Sequence, residues 1–330
     1  MRPLRQGWWF RTCLKWRLGF RMGDMVFRLD GDFARGRRRG GFTLVELLVL
    51  IVIVLLLLSI FIPFVRKTRE SEHRILCQSN LRAIGTALSK YAKENSGAFP
   101  CVVHDTAYKP GAYYAYTGPY APNPFSGDGR ISANDVTASL WLLVREGYAP
   151  PKLFICPSSS DWADPLTDRD GKVTDRLNRS NFKRASNLSY SYASPFSAAA
   201  GYKFNEYLPS DFALMADKNP GKAWGSDVTG VGWDAPMLEQ AKANSLNHRR
   251  AGQSVLYADM HVEFRTNPYC GVGYYSTGSA GDNIYTVLSD KPLPEQLTPD
   301  VTVPGLVGSE YGPAWKGDSY LVPTADEDRQ

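Results

Sequence analysis

The chain has 330 residues and a formal net charge of +5. A net positive charge is by itself typical of proteins that bind polyanions such as nucleic acids. The positive charge lies at one end, because residues 1–41 hold 11 Lys or Arg and only 3 Asp or Glu. Residues 42–330 hold the other 27 basic and 30 acidic residues, a net charge of −3. This remainder lacks the excess of cations that binds phosphate backbones, so we expect no nucleic-acid partner.

The first predicted element is a membrane helix. Residues Phe42–Val65 are apolar except for Thr43, Glu46, Ser59 and Pro63. A helix of 24 residues is roughly 36 Å long, enough to cross a hydrocarbon core of about 30 Å. Arginines at positions 35, 37, 38 and 39 precede it, and positive charge on one flank holds that end in the cytoplasm. We therefore predict a single-pass membrane protein whose N-terminus is cytoplasmic and whose C-terminal bulk lies outside.

Two features separate this segment from an ordinary secretory signal. Gly40 and Gly41 precede the apolar run, whereas a secretory signal has its small-residue cleavage site after it. Glu46 puts a carboxylate near the end of a membrane helix, which costs on the order of a few kcal/mol unless it is paired. The sequence from Gly41 to Glu46, GFTLVE, resembles the processing site of type IV prepilins and type II secretion pseudopilins. An ordinary signal anchor with a chance glutamate is the alternative.

The resemblance implies an inner-membrane location with a periplasmic C-terminal domain, and it implies how this segment is used. A prepilin peptidase, which is also an N-methyltransferase, would cut between Gly41 and Phe42 and methylate the new N-terminal Phe42. Glu46 would become the fifth residue of the processed chain and pair with an N-terminal amine in a growing filament. Pro63 matches a proline common in pilins, and its missing N–H predicts a helix kink. The other implied partners are pilin-like subunits of a homo- or hetero-filament, an assembly ATPase and a membrane platform protein.

Residues 66–97 are predicted to continue this helix into the outer domain. An apolar stripe with steps of four and three residues lies on one helical face, which favours packing against a sheet over a ligand role. Residues 95–97, Asn-Ser-Gly, predict its end. The stretch from Cys77 to Pro100 also resembles part of the large pilin-like proteins abundant in planctomycete-type bacteria. The stripe consists of Cys77, Leu81, Ile84, Leu88 and Tyr91.

The periplasmic part, residues 98–290, is predicted to be a globular α+β domain. The composition of residues 101–138 predicts a surface loop or insertion. The sequence SLWLLVRE at 139–146 predicts a short buried helix that ends at Gly147. The tail, residues 291–330, is rich in Pro, Gly and acidic residues. We expect the tail to wrap the surface or to be partly disordered.

An acidic stretch within this domain partly imitates a calcium loop. Asp168, Asp170 and Asp175 supply carboxylates, and major pseudopilins bind Ca²⁺ in a loop of the globular domain. The EF-hand pattern fails, however, because Leu166 and Leu177 occupy its first and last ligand positions. A solvated acidic turn is therefore favoured over a Ca²⁺ site, and we expect no required cofactor.

Strand patterns cluster in the second half of the domain. Asp259 and Met260 separate two of them, which predicts a tight hairpin. The surrounding sequence resembles the His, spacer, Asp-Gly signature of the same planctomycete-type proteins. Two departures are a spacer of ten residues between His248 and Asp259, where nine is usual, and Met260 in place of glycine. Methionine is strained at a turn position with positive φ, which predicts another turn type. The strand segments are 187–194, 211–217, 254–258 and 261–265.

Candidate chemistry beyond the N-terminus is sparse. His248 and Asp259 are interpreted as a structural pair in preference to a catalytic or metal-binding pair. No nucleophile elbow, Walker loop, HExxH or CxxC motif is present, so we expect no enzyme. An even number of cysteines remains after cleavage, which permits two disulfides in three connectivities, and free buried thiols fit equally well. These cysteines are Cys77, Cys101, Cys156 and Cys270.

Together these patterns predict an α+β, pilin-like fold, in which a long N-terminal helix packs on a C-terminal antiparallel sheet with long loop insertions. The predicted function is a structural subunit of a type II secretion pseudopilus or a type IV pilus-like filament. An adhesive or DNA-uptake pilin, and a membrane-tethered ligand-binding or enzymatic domain that never polymerises, are the alternatives. The predicted divisions are a cytoplasmic leader (1–41), a transmembrane helix (42–65), an amphipathic helix (66–97), the globular domain (98–290) and the tail (291–330).

Overall fold

The computed structural model describes most of residues 41–330, apart from several long stretches. Contacts divide the chain into two compact units, Met1–Leu57 and Leu58–Gln330. The predicted leader residues 1–40, most of the predicted loop and much of the tail lie outside the described residues, as does the side chain of Pro63. The described residues are 41–104, 134–168, 170–197, 201–221, 235–273, 281–286 and 317–322, without the side chains of 63–67.

The longest element is helix α1, Leu44–Glu94. Its first part, Leu44–Ile62, is long and apolar enough to cross a membrane, and none of it is buried inside the protein. It is the one such helix among the described residues, which confirms the predicted membrane helix in length and composition. The last turn ends with Ser96 and Gly97 at positive φ and with a hydrogen bond from Gly97 N–H to the Ala92 carbonyl, as the Asn-Ser-Gly sequence predicts.

The second part of α1 packs on the sheet through the predicted apolar stripe. Cys77, Leu81, Ile84 and Leu88 are completely buried, and Tyr91 is half-buried. The helix approaches the sheet closely at Gly85, where an added Cβ would lie 2.9 Å from a methyl carbon of Leu256. The interpretation of this stripe as a packing surface is confirmed.

An antiparallel sheet of four strands receives this helix. The strand order is β1-β2-β3-β4, so each strand pairs with its neighbour in sequence. Both faces of β1, β2 and β3 are buried, whereas β4 alternates between half-buried and exposed residues, as expected at an edge. These strands confirm all four strand patterns. Their bounds are β1 Tyr190–Tyr192, β2 Ala213–Asp217, β3 Gln253–Tyr257 and β4 Val262–Arg265.

The β3–β4 hairpin differs from the sequence expectation at Met260. The Tyr257 carbonyl accepts a hydrogen bond from Met260 N–H, and Met260 has φ +70°. This is the left-handed position of a three-residue hairpin loop, where glycine is the usual residue. The prediction that methionine requires another turn type is therefore wrong. Met260 offsets its backbone strain by packing its side chain against the core next to Gly85.

A short helix and a second sheet complete the core. Helix α2, Val136–Arg145, confirms the predicted helix but begins three residues earlier, because Asp135 accepts a hydrogen bond from Ala138 N–H and caps it. Strands β5 and β6 form a two-stranded antiparallel sheet. The remaining elements are β5 Tyr269–Gly273, β6 Gly281–Asn283, helix α3 Met237–Gln240 and 3-10 turns at Pro151–Phe154, Arg176–Asn178, Ala185–Asn187, Ala241–Ala243 and Asn247–Arg250.

Residues 317–322 contradict the expected surface tail. All six are buried, and Leu321 forms an antiparallel bridge with Ala193 at the end of β1. Asn219 donates hydrogen bonds to the carbonyls of Leu321 and Tyr285, at 2.7 and 3.1 Å. The short apolar run at residues 320–322 was not recognised in the sequence, because the rest of the tail is polar. In the structure this run packs beside the sheet.

Candidate functional site

The GFTLVE sequence lies at the start of α1, where Thr43 and Glu46 form a capping box. Thr43 N–H and the Thr43 hydroxyl donate to Glu46 Oε2, at 2.8 and 2.9 Å, and Glu46 N–H donates to Thr43 Oγ1 at 3.2 Å. This reciprocal pattern satisfies helix-end N–H groups that otherwise lack partners. Gly41 has no atom within 4 Å of an added Cβ, so packing in this structure does not require a glycine there.

The apolar residues that follow are exposed on every side. Each side chain from Leu44 to Ile62 is exposed, including Ile53 at 49% and Leu57 at 63%. Soluble monomers rarely expose an apolar surface of this extent, which marks a membrane or protein contact. The segment therefore has the character of a single membrane anchor.

A second group of functional side chains lies inside the domain. We call Cys77, Cys156, Asp217 and His248 the buried cluster, because all four are completely buried and their ligand atoms lie within 4.8 Å of one another. Cys77 comes from α1, and Cys156 follows the 3-10 turn Pro151–Phe154. Asp217 is the last residue of β2, and His248 lies in the turn before β3.

Asp217 is held in place by three donors. Its Oδ1 accepts from the Cys77 thiol at 3.3 Å and from Asn247 Nδ2 at 3.0 Å. Its Oδ2 accepts from Ser254 N–H at 2.7 Å and lies 3.4 Å from His248 Nε2. These donors fix the orientation of the carboxylate.

His248 contacts a different partner through each ring nitrogen. Nδ1 lies 2.7 Å from Oε1 of Glu70, one of whose oxygens also accepts from the Ser158 hydroxyl at 3.0 Å. Nε2 lies 3.5 Å from Cys156 Sγ. Glu70 therefore fixes the Nδ1 side of the ring and directs Nε2 to the sulfur and carboxylate groups.

The electrostatics of the buried cluster favour a cysteine anion. Burial and the hydrogen bond with Cys156 raise the pKa of Cys77 well above its ordinary value. The hydrogen bond from Cys77 lowers the pKa of Cys156, although burial opposes this. Burial also opposes a charge on His248, but the hydrogen bond with Cys156 and the charge of Asp217 raise its pKa to about 9. Cys156 is thus the thiol with the greater thiolate character, the form that binds metals.

The backbone that carries His248 is strained. His248, Arg249 and Arg250 are three consecutive residues with positive φ, at 53°, 56° and 61°. Left-handed backbone costs roughly 1–2 kcal/mol for each residue other than glycine, and such strain concentrates at functional sites. Asn244 Nδ2 donates to the Arg250 carbonyl at 3.1 Å and so helps to hold the turn. The strained turn is what directs the imidazole inward.

The buried cluster therefore combines two sulfurs, one imidazole nitrogen and one carboxylate, donor types that transition metals prefer. A scan against protein-family models, a search of curated proteins and a search of solved structures find no match.

The structure does not form the predicted pair between His248 and Asp259. Asp259 lies in the exposed β3–β4 loop, where it pairs with His261 and accepts its N–H at 3.1 Å. His248 pairs with Glu70 and Asp217 instead. The pairing prediction is wrong because sequence proximity to a hairpin does not reveal that the left-handed turn points the histidine into the core.

Two of the three carboxylates of the acidic stretch, those of Asp168 and Asp175, accept hydrogen bonds from backbone N–H groups of their own turns. Asp168 Oδ1 accepts from the N–H groups of Asp170 and Lys172, at 3.0 and 2.8 Å. Asp175 accepts from Leu177 N–H at 2.9 Å and caps a 3-10 turn. This is the geometry of the acidic turn that the sequence favours, and a Ca²⁺ site there stays a prediction.

All four described cysteines are free thiols, so the permitted disulfides are not formed and the alternative of free thiols holds. Sequence analysis missed that Cys77 and Cys156 meet with Asp217. The two cysteines are 79 positions apart in the sequence, and no short metal-binding spacing links them. The available signal was placement, because Cys77 lies on the predicted apolar stripe and Asp217 ends a predicted strand segment. Cys156 carried no such signal.

Proposed function

We propose that this chain is a structural pilin-like subunit, processed after Gly41 and assembled into a type II secretion pseudopilus or a type IV pilus-like filament. The observation that carries the proposal is the sequence GFTLVE at the start of a helix whose first 19 residues, Leu44–Ile62, are exposed and, apart from Glu46 and Ser59, apolar. The same element, α1, continues into the folded core, so a filament of packed N-terminal helices would carry the domains with it.

Glu46 has a defined place in this mechanism. Its Oε2 receives both hydrogen bonds from Thr43, and we assign Oε1 to the ammonium of a methylated Phe42 in a neighbouring subunit. A carboxylate near the end of a membrane helix is costly without such a partner. The pairing would therefore favour the filament over the lone subunit and set the axial register.

The driving force for packing comes from the exposed helix surface. Apolar helices leave the bilayer only if other apolar helices replace the lipid around them. In this proposal the N-terminus is cytoplasmic and the domain is periplasmic. A prepilin peptidase that is also the N-methyltransferase, an assembly ATPase and a platform protein are the partners. We propose no catalytic role for the buried cluster, because its four side chains are completely buried.

Processing is tested by N-terminal sequencing and intact mass of the chain purified from membranes with a co-expressed prepilin peptidase. We expect a chain that begins at methylated Phe42. Gly41→Leu should abolish cleavage, whereas the matched change Gly40→Leu, one position earlier, should leave it intact. The fold tolerates a side chain at Gly41, so lost cleavage would not reflect misfolding. An intact leader in the unaltered chain would contradict the proposal and favour a plain membrane anchor.

A membrane-tethered domain that does not polymerise is the second candidate. The buried cluster favours it, since an ion held inside the domain would serve a single chain whether or not a filament forms. The two candidates differ in a simple measurement. A filament subunit must appear in the fraction sheared from the cell surface or cross-link to identical subunits through its N-terminal helix. A chain found only in membranes, with its leader intact, supports the second candidate.

A further inference from the structure

The spacing inside the buried cluster matches a tetrahedral ion. Zinc binds sulfur at about 2.3 Å and imidazole nitrogen at about 2.0–2.1 Å, so tetrahedral ligands lie roughly 3.3–3.8 Å from each other. Cys156 Sγ lies 3.5 Å from His248 Nε2, which lies 3.4 Å from Asp217 Oδ2. Cys77 Sγ lies 3.3 Å from Asp217 Oδ1, and all four ligand atoms lie within 4.8 Å of one another. To close the site, spacings as long as 4.8 Å would shorten by about 1 Å, and one Asp217 oxygen would bind the ion beside Cys77 and His248.

The groups around the four ligands orient them for an ion. A metal-binding histidine usually donates its second ring N–H to a carboxylate, and Glu70 is placed for that contact, 2.7 Å from His248 Nδ1. The tautomer with a proton on Nδ1 leaves the lone pair of Nε2 directed at the sulfurs and at Asp217. Asp217 is itself held by Asn247 and Ser254. These contacts supply the support that metal ligands need and that a packed core does not require.

A bound cation would also offset the free-energy cost of burying these side chains and of the strained backbone. Four ionisable side chains are completely buried within one small volume, and the imidazole among them already pairs with the carboxylates of Asp217 and Glu70. Two buried thiolates would have no further cation in the cluster, which is unfavourable. The histidine is carried on three consecutive left-handed residues, which persist only where the surroundings stabilise them. Thiolate coordination to a divalent cation would offset both costs.

We propose that Cys77, Cys156, Asp217 and His248 bind a structural Zn²⁺ ion that fastens helix α1 to the sheet. Four protein ligands with no exposed position describe a closed structural site, because a catalytic zinc keeps one position open for water. The ligands are far apart in sequence, 140 positions between Cys77 and Asp217 and 92 between Cys156 and His248. One ion thus closes several long loops at once. Binding releases two protons to water, that of the Cys77 thiol and the one shared by Cys156 and His248 Nε2, and the Asp217 carboxylate binds through an oxygen lone pair.

The test uses the full-length chain in detergent and Zn²⁺ as the probe. We expect about one zinc ion per chain by elemental mass spectrometry. Removal of the ion by a chelator should lower the Tm by about 10 °C or more, and added ZnCl₂ should restore it. Cys156→Ser should lose the ion. The matched control Cys270→Ser removes another buried thiol, outside the buried cluster, and should keep it.

A second measurement keeps the proposal open to refutation if Cys156→Ser fails to fold. The unaltered chain, stripped and loaded with CoCl₂, should show the visible absorption of tetrahedral cobalt and a thiolate charge-transfer band. Glu70→Gln should still bind one Zn²⁺ ion with roughly 10- to 100-fold lower affinity. No zinc or cobalt binding by the unaltered chain would overturn the proposal. A Cys77–Cys156 disulfide in the native protein, or binding that survives Cys156→Ser, would overturn it as well.

Discussion

Replacing Glu46 by glutamine separates its charge from its capping hydrogen bonds. The glutamine carbonyl can accept the same bonds from Thr43, because a capping box works with either residue. We therefore expect the helix start and membrane insertion to be retained. The charge-assisted contact with a neighbouring N-terminus is lost, and a contact of this kind contributes about 1.5–3 kcal/mol to association. This corresponds to roughly 10- to 150-fold less incorporation into filaments.

The assay is the ratio of subunit in sheared filaments to subunit in membranes, measured by quantitative immunoblot. Glu46→Ala removes both the charge and the cap, so its incorporation should be at or below that of Glu46→Gln. Thr43→Ala removes the cap at a cost of about 1 kcal/mol but keeps the carboxylate, and it should assemble nearly normally. If Glu46→Gln assembles like the unaltered chain while Thr43→Ala fails, the glutamate serves only to cap the helix.

Three further predictions concern the folded domain. Asp164 and Arg179 form a completely buried ion pair, with Asp164 Oδ1 2.6 Å from Arg179 Nη1. Asp164→Asn leaves Arg179 without its charged partner and should lower the free energy of unfolding by about 3–5 kcal/mol in chemical denaturation. Glu239→Gln, in an exposed pair, is the control and should cost at most about 1 kcal/mol. Gly252→Ala should lower the Tm strongly, because φ is +147° and the new Cβ would lie 2.3 Å from a backbone oxygen of β4; an unchanged Tm would contradict this. The processed chain, denatured and free of metal, should show four reactive thiols in a titration, and fewer would indicate a disulfide.

Much of the fold could be predicted from sequence because periodic patterns report local geometry. The stripe from Cys77 to Tyr91 identified the buried face of α1, and alternation at Tyr190 and Tyr192 identified β1. The N-terminal motif was found because its residues are contiguous. In each case the informative residues lie within a few turns or one strand of each other.

The buried cluster could not be predicted because its members meet only in the tertiary structure. Nothing local links Cys77 to Asp217, and the nearest carboxylate in the signature, Asp259, gave the wrong partner for His248. Three left-handed residues in a row are also invisible in the sequence, since none of them is glycine. Met260 shows the same limit, because packing against the core overrides the local preference for glycine.

The burial of residues 317–322 determines when the domain can finish folding. The ribosome releases the membrane helix well before this segment, yet Leu321 bridges to Ala193 and accepts a hydrogen bond from Asn219. The core therefore stays incomplete until residues 317–322 have left the ribosome. A premature stop before residue 317 would leave a chain with an open sheet, a ready substrate for proteases.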